Sequence, residues 1–321
     1  MRAAHLVEYT GPDGLRIVDT DEPVGDGRVV VDMHAAGVSF PDLLQSRAGY
    51  QLVRPLPALL GMEGAGIVRT APEGHGLTPG QRVGVLTDAG TWQQTVVVDP
   101  QSVLPLPDSV TFTAAAGLLL NFLTVHFALD ERARYRPGET VLVHGAAGGI
   151  GVAALRVASA LGLDTIAVVS TDAKADVARA HGATHVIGVD GFKDRVLEIT
   201  GGRGVDIVLD PVGGARFTDT LRSLASGGRV VVLGFTSGQI PTVKVNRLLL
   251  KNISVVGAGW GEYMRADPAY PAQQWSVLEP LLGSGDLTIT EPTTVPLDEA
   301  ADALRRLEDR TVRGKIVLAL R

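Results

Sequence analysis

The chain has 321 residues, 45% apolar and 20% charged, with a formal net charge of −6 and no cysteine. That length allows two domains with sizeable cores. The missing cysteines exclude disulfides, thiolate zinc sites and a cysteine nucleophile and agree with a cytoplasmic setting, while the acidic balance gives no support for nucleic-acid binding.

Glu8 interrupts the N-terminus before an apolar signal core could form, so no secretory signal is expected. Residues up to about 110 read as β-rich, with strand-like runs at 28–33, 66–69, 82–86 and 95–98. Thr10-Gly11-Pro12, Pro79-Gly80 and Asp99-Pro100 punctuate them. No long helical periodicity appears, which predicts a compact barrel-type domain. The most apolar stretch, 112–129, contains Gly117 and is broken by Asn121, Thr124 and His126. It predicts a buried helix pair rather than a membrane span.

After about residue 119 strands and helices alternate. Strands are predicted at 141–144, 165–169, 185–187, 206–209, 229–233 and 253–257, with helices such as 172–181 and 215–225 between them. This rhythm predicts an α/β doubly wound parallel sheet. The tail reads as a helix, a second helix at 297–307 and a closing strand at 315–320 that returns to complete the first domain.

The most informative run is VLVHGAAGGIGVAALRVASALG, 141–162. A buried strand ends, Gly145, Gly148 and Gly151 follow at GxxGxxG spacing, and an alanine-rich helix opens through them. Glycines allow a tight turn and close backbone approach, and the helix N-terminus offers free N–H groups to a pyrophosphate. A close helix–strand contact without a ligand is the alternative, but the strand on one side and the βαβ spacing to 165–169 favour a dinucleotide. An NAD site usually ends its second strand on an acid. Here that strand runs into Ser170-Thr171-Asp172-Ala173-Lys174. Ser170 and Lys174 suit the 2′-phosphate of NADPH, and Asp172 reads as the N-cap of the following helix.

Together these features resemble the zinc-independent quinone oxidoreductase (zeta-crystallin-like) branch of the medium-chain dehydrogenase/reductase superfamily. The likeness is carried, in order, by GVSFPDLLQSRAGY at 37–50, GMEGAGIV at 61–68, NFLTVHFAL at 121–129, DPVGG at 210–214, GRVVVLGF at 228–235 and LLLKNISVVG at 248–257. It implies a GroES-like catalytic domain of residues 1–118 and 260–321 and a Rossmann domain of residues 119–259. By the same alignment, the zinc-ligand positions of metal-dependent relatives are Ser39, Met62 and approximately Leu120. None is a thiolate or an imidazole, so no metal is expected.

The resemblance further implies hydride transfer from NADPH to a quinone or a conjugated enone. It assigns cofactor contacts to Phe40, Thr124, Gly145, Ala147, Gly148, Gly149, Ile150, Gly151, Ser170, Lys174, Gly234, Phe235, Ala258, Gly259, Trp260 and Arg310. Several have blander alternatives: Thr124 in helix back-bonding, Phe235 in the core, Trp260 at the domain junction, Arg310 in solvent. Tyr50 is the candidate polar group beside the acceptor. Relatives often carry a tyrosine nearer 44, where this chain has Leu44, and an Asn-Tyr pair after the third strand, where it has Val186-Ile187-Gly188-Val189-Asp190. An enoyl-thioester or alkenal reductase, or a dinucleotide-binding protein without turnover (crystallin-like or RNA-binding), are the alternatives. The uncharged run 252–257 is expected to form a sheet edge that pairs two subunits into a homodimer.

Overall fold

Short apolar runs bounded by glycine and proline build the N-terminal strands. Strand β1 (Arg2–Leu6) pairs antiparallel with β2 (Leu15–Asp19), and after β3 (Val29–Val38) and the seven-residue helix α1 (Phe40–Ser46), the two-residue β4 (Ala58–Leu59) adds to the other side of β1. β3 is the longest strand of the chain. It pairs with β5 (Glu63–Thr70), which leads to β6 (Arg82–Leu86), while β7 (Thr95–Val98) also pairs with β3 and β8 (Val103–Pro105) closes on β6. Alternation along β3 buries Val29, Val31 and Met33 in one cluster with Val83, Val85, Trp92 and Val96.

The apolar stretch at 112 is one helix rather than a pair: α2 (Phe112–Phe127) runs unbroken into a π-helical turn at Ala128–Arg132. Gly117 does not break it, because a Cβ there would come within 3.3–3.4 Å of Lys315, Val317 and Pro292, so the glycine is a close-packing position. This helix is long and apolar enough to cross a membrane, and most of it is buried within the protein.

Six parallel strands follow. β9 (Thr140–His144), α3 (Gly149–Ala160), β10 (Asp164–Val169), α4 (Asp172–Ala180), β11 (His185–Gly188), α5 (Phe192–Ile199), β12 (Val205–Asp210), α6 (Phe217–Arg222), β13 (Leu224–Val232), α7 (Asn246–Lys251) and β14 (Ser254–Gly257) alternate as expected. The order β11-β10-β9-β12-β13-β14 is doubly wound, with the reversal between β9 and β12 and β14 at one edge. α8 (Trp260–Ala266), α9 (Tyr270–Ser284), β15 (Thr293–Pro296), α10 (Ala300–Glu308) and β16 (Ile316–Ala319) complete the chain. The closing strand β16 lies antiparallel to β3, with β15 outside it.

The computed structural model describes residues 1–321, which divide into two units: Met1–Leu120 with Asp267–Gly285 and Ile289–Arg321, and Asn121–Ala266 with Asp286–Thr288. The expected change of unit at 259/260 thus falls at 266/267. The reason is α8, which stays with the parallel-sheet unit because the Tyr263 ring lies against Phe127, centroids 5.0 Å apart. Residues 286–288 join the same unit, where Arg156 donates to Thr288.

Candidate active site

All six strands of the parallel sheet point the same way, so six strand ends and the loops after them share one edge. Just after β9, Gly145 adopts φ +62, a left-handed conformation that costs glycine little. Gly148 then caps α3 with φ −85 and ψ 176, its N–H donating to the Gly145 carbonyl at 3.0 Å. No side chain caps this helix and no acid stands in its first turn. The leading N–H groups around Gly149, Ile150 and Gly151 are therefore left for an anion. A Cβ on Gly148 would meet only the Gly145 carbonyl oxygen, at 3.4 Å, whereas one on Gly151 would lie 2.3 Å from that oxygen. The first glycine turns the chain, the second leaves space above the loop, and the third lets helix and loop touch. Ala147 is buried beneath them.

At the end of β10, Lys174 Nζ donates to Ser170 Oγ at 3.4 Å, bringing together the two predicted residues, Ser170 exposed and Lys174 half-buried. The N-cap of α4 is Thr171, not Asp172. Thr171 has extended φ/ψ and its Oγ1 accepts the Lys174 N–H, while Asp172 is already the first helical residue. The Asp172 carboxylate is exposed at a helix N-terminus, a position that favours negative charge.

Gly234 and Phe235 follow β13. Phe235 is 37% exposed and lies over the 211–214 turn, where its ring sits 3.0 Å from a Cβ built on Gly213. Ala258 extends β14, its N–H donating to Val232 O at 3.0 Å. Gly259 is exposed and Trp260 buried, so the indole is placed for packing. Thr124 is half-buried in α2 and makes none of the back-bonds formed by Thr200 and Thr220. All these residues belong to the parallel-sheet unit. Phe40, Tyr50 and Arg310 belong to the other unit: Phe40 opens α1, Tyr50 is half-buried in the following loop, and Arg310 is exposed after α10 with φ +56.

A buried polar cluster in the β-rich unit escaped sequence reasoning. Asp42 is fully buried; its Oδ2 accepts both the N–H (2.8 Å) and the hydroxyl (2.6 Å) of Ser39, and its Oδ1 accepts the Gly61 N–H at 3.0 Å. Burial pushes its carboxyl up to about 6, against the opposing pull of those hydrogen bonds and of the Lys315 charge. Glu63, also fully buried, accepts the Leu120 N–H at 2.7 Å on one oxygen and the Lys315 ammonium at 2.5 Å on the other. Ser39 and Leu120, two of the three positions aligned with zinc ligands, are thus tied into carboxylate hydrogen bonds, and Met62 between Gly61 and Glu63 is a buried thioether. No group of three or more His, Cys, Asp or Glu side chains is arranged to hold a metal ion. The only local signals for this cluster were an acid three residues after Ser39 and one after Met62.

Comparison with known proteins fits this geometry. The family model of the alcohol dehydrogenase GroES-like domain matches residues 25–108, and that of the zinc-binding dehydrogenase matches 149–275. Quinone oxidoreductase-like protein 2 of Rattus norvegicus is 36% identical over 324 aligned residues, covering 100% of this chain and 92% of that protein. The chain belongs to the quinone oxidoreductase-like family of the medium-chain dehydrogenases/reductases. Among solved members of the same fold, a probable oxidoreductase from Mycobacterium abscessus superposes with TM-score 0.91 at 41% identity, covering 99% of this chain and 98% of that one. The quinone oxidoreductase from Thermus thermophilus, solved alone and in complex with NADPH, gives 0.86 at 34% identity with both chains covered completely. One of the two matching family models is named for zinc, but the residues of this member at the aligned positions lack the zinc donors.

Proposed function

We propose that the protein is an NADPH-dependent oxidoreductase that reduces a quinone or a conjugated enone by hydride transfer, without a metal ion. The observation that carries this reading is the Lys174–Ser170 pair on the rim beside the uncapped glycine loop. A hydroxyl and an ammonium, with no acid at the strand end, suit a 2′-phosphate and not a bare ribose. The open space at Gly148 fits a pyrophosphate, and the Thermus relative is described in complex with NADPH.

The residues around the loop, Gly145 and Ala147 to Gly151, hold the pyrophosphate through backbone N–H groups. Thr124, Gly234, Phe235, Ala258 and Gly259 are assigned to the nicotinamide side, Trp260 to the packing behind it, and Phe40 and Arg310 to contacts from the β-rich unit. When bound, NADPH supplies the hydride. Quinones and enones are already electrophilic at a vinylogous carbon, so the protein's main task is to hold two planar groups in a near-attack arrangement. Tyr50 is the polar side chain assigned to the acceptor. The exposed β14 edge supports a homodimer.

The test is NADPH oxidation by the purified protein against quinones, conjugated enones and enals, and enoyl thioesters, before and after exhaustive chelation. Turnover with quinones or enones that survives chelation is expected. Turnover confined to enoyl thioesters would replace the acceptor class. NADPH binding without oxidation by any acceptor would replace the enzyme with a binding protein.

A further inference from the structure

Two buried side chains at the sheet's reversal point each keep one polar atom without a partner. His144 ends β9 and Asp210 ends β12. The last register between these strands is Val143 with Leu209, so His144 and Asp210 are the next pair along and project from the same face. Both are almost completely buried, and neither His144 Nδ1 nor Asp210 Oδ2 has a hydrogen-bond partner within the chain.

The remaining contacts fix the chemistry of these two atoms. His144 Nε2 lies 2.9 Å from Thr220 Oγ1, and the Thr220 hydroxyl is within 3.3 Å of the Arg216 carbonyl, its acceptor. Nε2 and the Thr220 hydroxyl thus share one hydrogen, and either tautomer leaves Nδ1 without a partner in the chain. Asp210 spends Oδ1 on the N–H groups of Val212 (2.8 Å) and Gly213 (2.9 Å), leaving Oδ2 without a partner in the chain. Phe192 meets the imidazole edge-on, centroids 5.0 Å apart. The charged groups facing the ring are Asp210, which favours its protonation, and Arg216 from the start of α6, which opposes it; burial outweighs both and holds the ring neutral. No direct bond joins these two atoms, whereas one water can donate to Oδ2 and serve Nδ1 as donor or as acceptor.

We propose that a single buried water bridges His144 Nδ1 and Asp210 Oδ2, and that this link makes the two residues positioning residues for the pyrophosphate loop. The route to the loop is short. Gly145 follows His144 directly, and Asp210 builds the turn carrying Val212, whose Cγ2 would lie 3.2 Å from a Cβ on Gly145. Joining His144 to Asp210 therefore fixes the loop against the turn that supports it. The positioning role rests on the dinucleotide reading above; the bridge itself does not.

A crystal structure at a resolution that orders buried water tests the bridge. Density within hydrogen-bond distance of both atoms is expected; an empty gap, or direct contact between Nδ1 and Oδ2, would overturn it. Titration of the purified protein with NADPH and with NADH tests the role. His144→Phe should weaken both cofactors equally, by about fivefold, the worth of one net hydrogen bond. The turnover number at saturating NADPH should stay within twofold. His144→Asn, whose amide offers both an acceptor and a donor in place of Nδ1, should recover most of the affinity. Unchanged affinity in His144→Phe, or no recovery in His144→Asn, would overturn the positioning role. Failure of the unaltered protein to bind either cofactor would overturn the dinucleotide reading and this role together, while the density would still decide the bridge.

Discussion

A Cβ placed on Gly151 would lie 2.3 Å from the carbonyl oxygen of Gly145 and 2.5 Å from Cα of Ala146. Both are backbone atoms, so neither can rotate away. Two glycines six residues apart thus hold helix and loop in direct contact, while Gly148 between them faces open space.

The glycines therefore separate into a structural and a binding position. Gly151→Ala should destabilise the parallel-sheet unit by about 1–3 kcal/mol, the range for forcing an extra methyl into a packed site. Gly148→Val has allowed backbone angles and room, so its melting curve should stay near the unaltered one while NADPH affinity falls at least about tenfold. Urea unfolding and cofactor titration of both variants check this. Loss of stability in Gly148→Val with affinity retained would reverse the assignment.

Two buried groups, one in each unit, are shifted by burial in opposite directions. His144 is held at about 4 by burial, below its ordinary 6.5. The unfolded chain then binds a proton that the folded chain does not, so this stability is present above pH 6.5 and is lost as pH falls toward 4. Asp42 is raised from 3.8 to about 6. Its ionised form is the costly one, so its penalty is relieved as pH falls from 6 to 4. Each shift corresponds to about 3 kcal/mol. Unfolding free energies from pH 7 to 4 should show the protein gaining relative to Asp42→Asn on acidification and losing relative to His144→Gln. Parallel profiles for all three proteins would contradict both assignments.

Legibility followed sequence distance. β6 and β7 lie where alternation and flanking glycine or proline predicted them. β4 has two residues and α1 only seven, too few to establish a period, and neither stood out from the sequence. Gly117 and the polar residues of α2 suggested a break, but tertiary packing overrides them. Thr171 and Asp172 are both good capping residues, and only the backbone angles decide between them. The glycine loop and the Ser170–Lys174 pair were legible because each is local. The Glu63–Lys315 pair was not, because its partners are 252 residues apart and meet only when β16 closes on β3.

The edge strand β14 carries a prediction about assembly. Val255 is 37% exposed, Ser254 and Gly257 are exposed, and no charge or proline lies within the strand. Leu249 and Leu250 on the preceding helix are each 77% exposed. An unprotected edge beside apolar side chains invites pairing with a second copy about a two-fold axis. Light scattering should give twice the 33.6 kDa chain mass. Val255→Lys, which sets like charges near each other across that axis, should give the monomer. A monomeric unaltered protein would reject the dimer, and a dimeric Val255→Lys would move the interface elsewhere.

The choice of cofactor is read by calorimetric titration of the unaltered protein and of Lys174→Ala with NADPH and NADH. The unaltered protein should bind NADPH at least about tenfold more tightly than NADH. Lys174→Ala should lose about 1–3 kcal/mol toward NADPH and almost nothing toward NADH, as expected for one charge-assisted contact to a 2′-phosphate. Tighter binding of NADH by the unaltered protein, or an equal loss for both cofactors in Lys174→Ala, would contradict that choice.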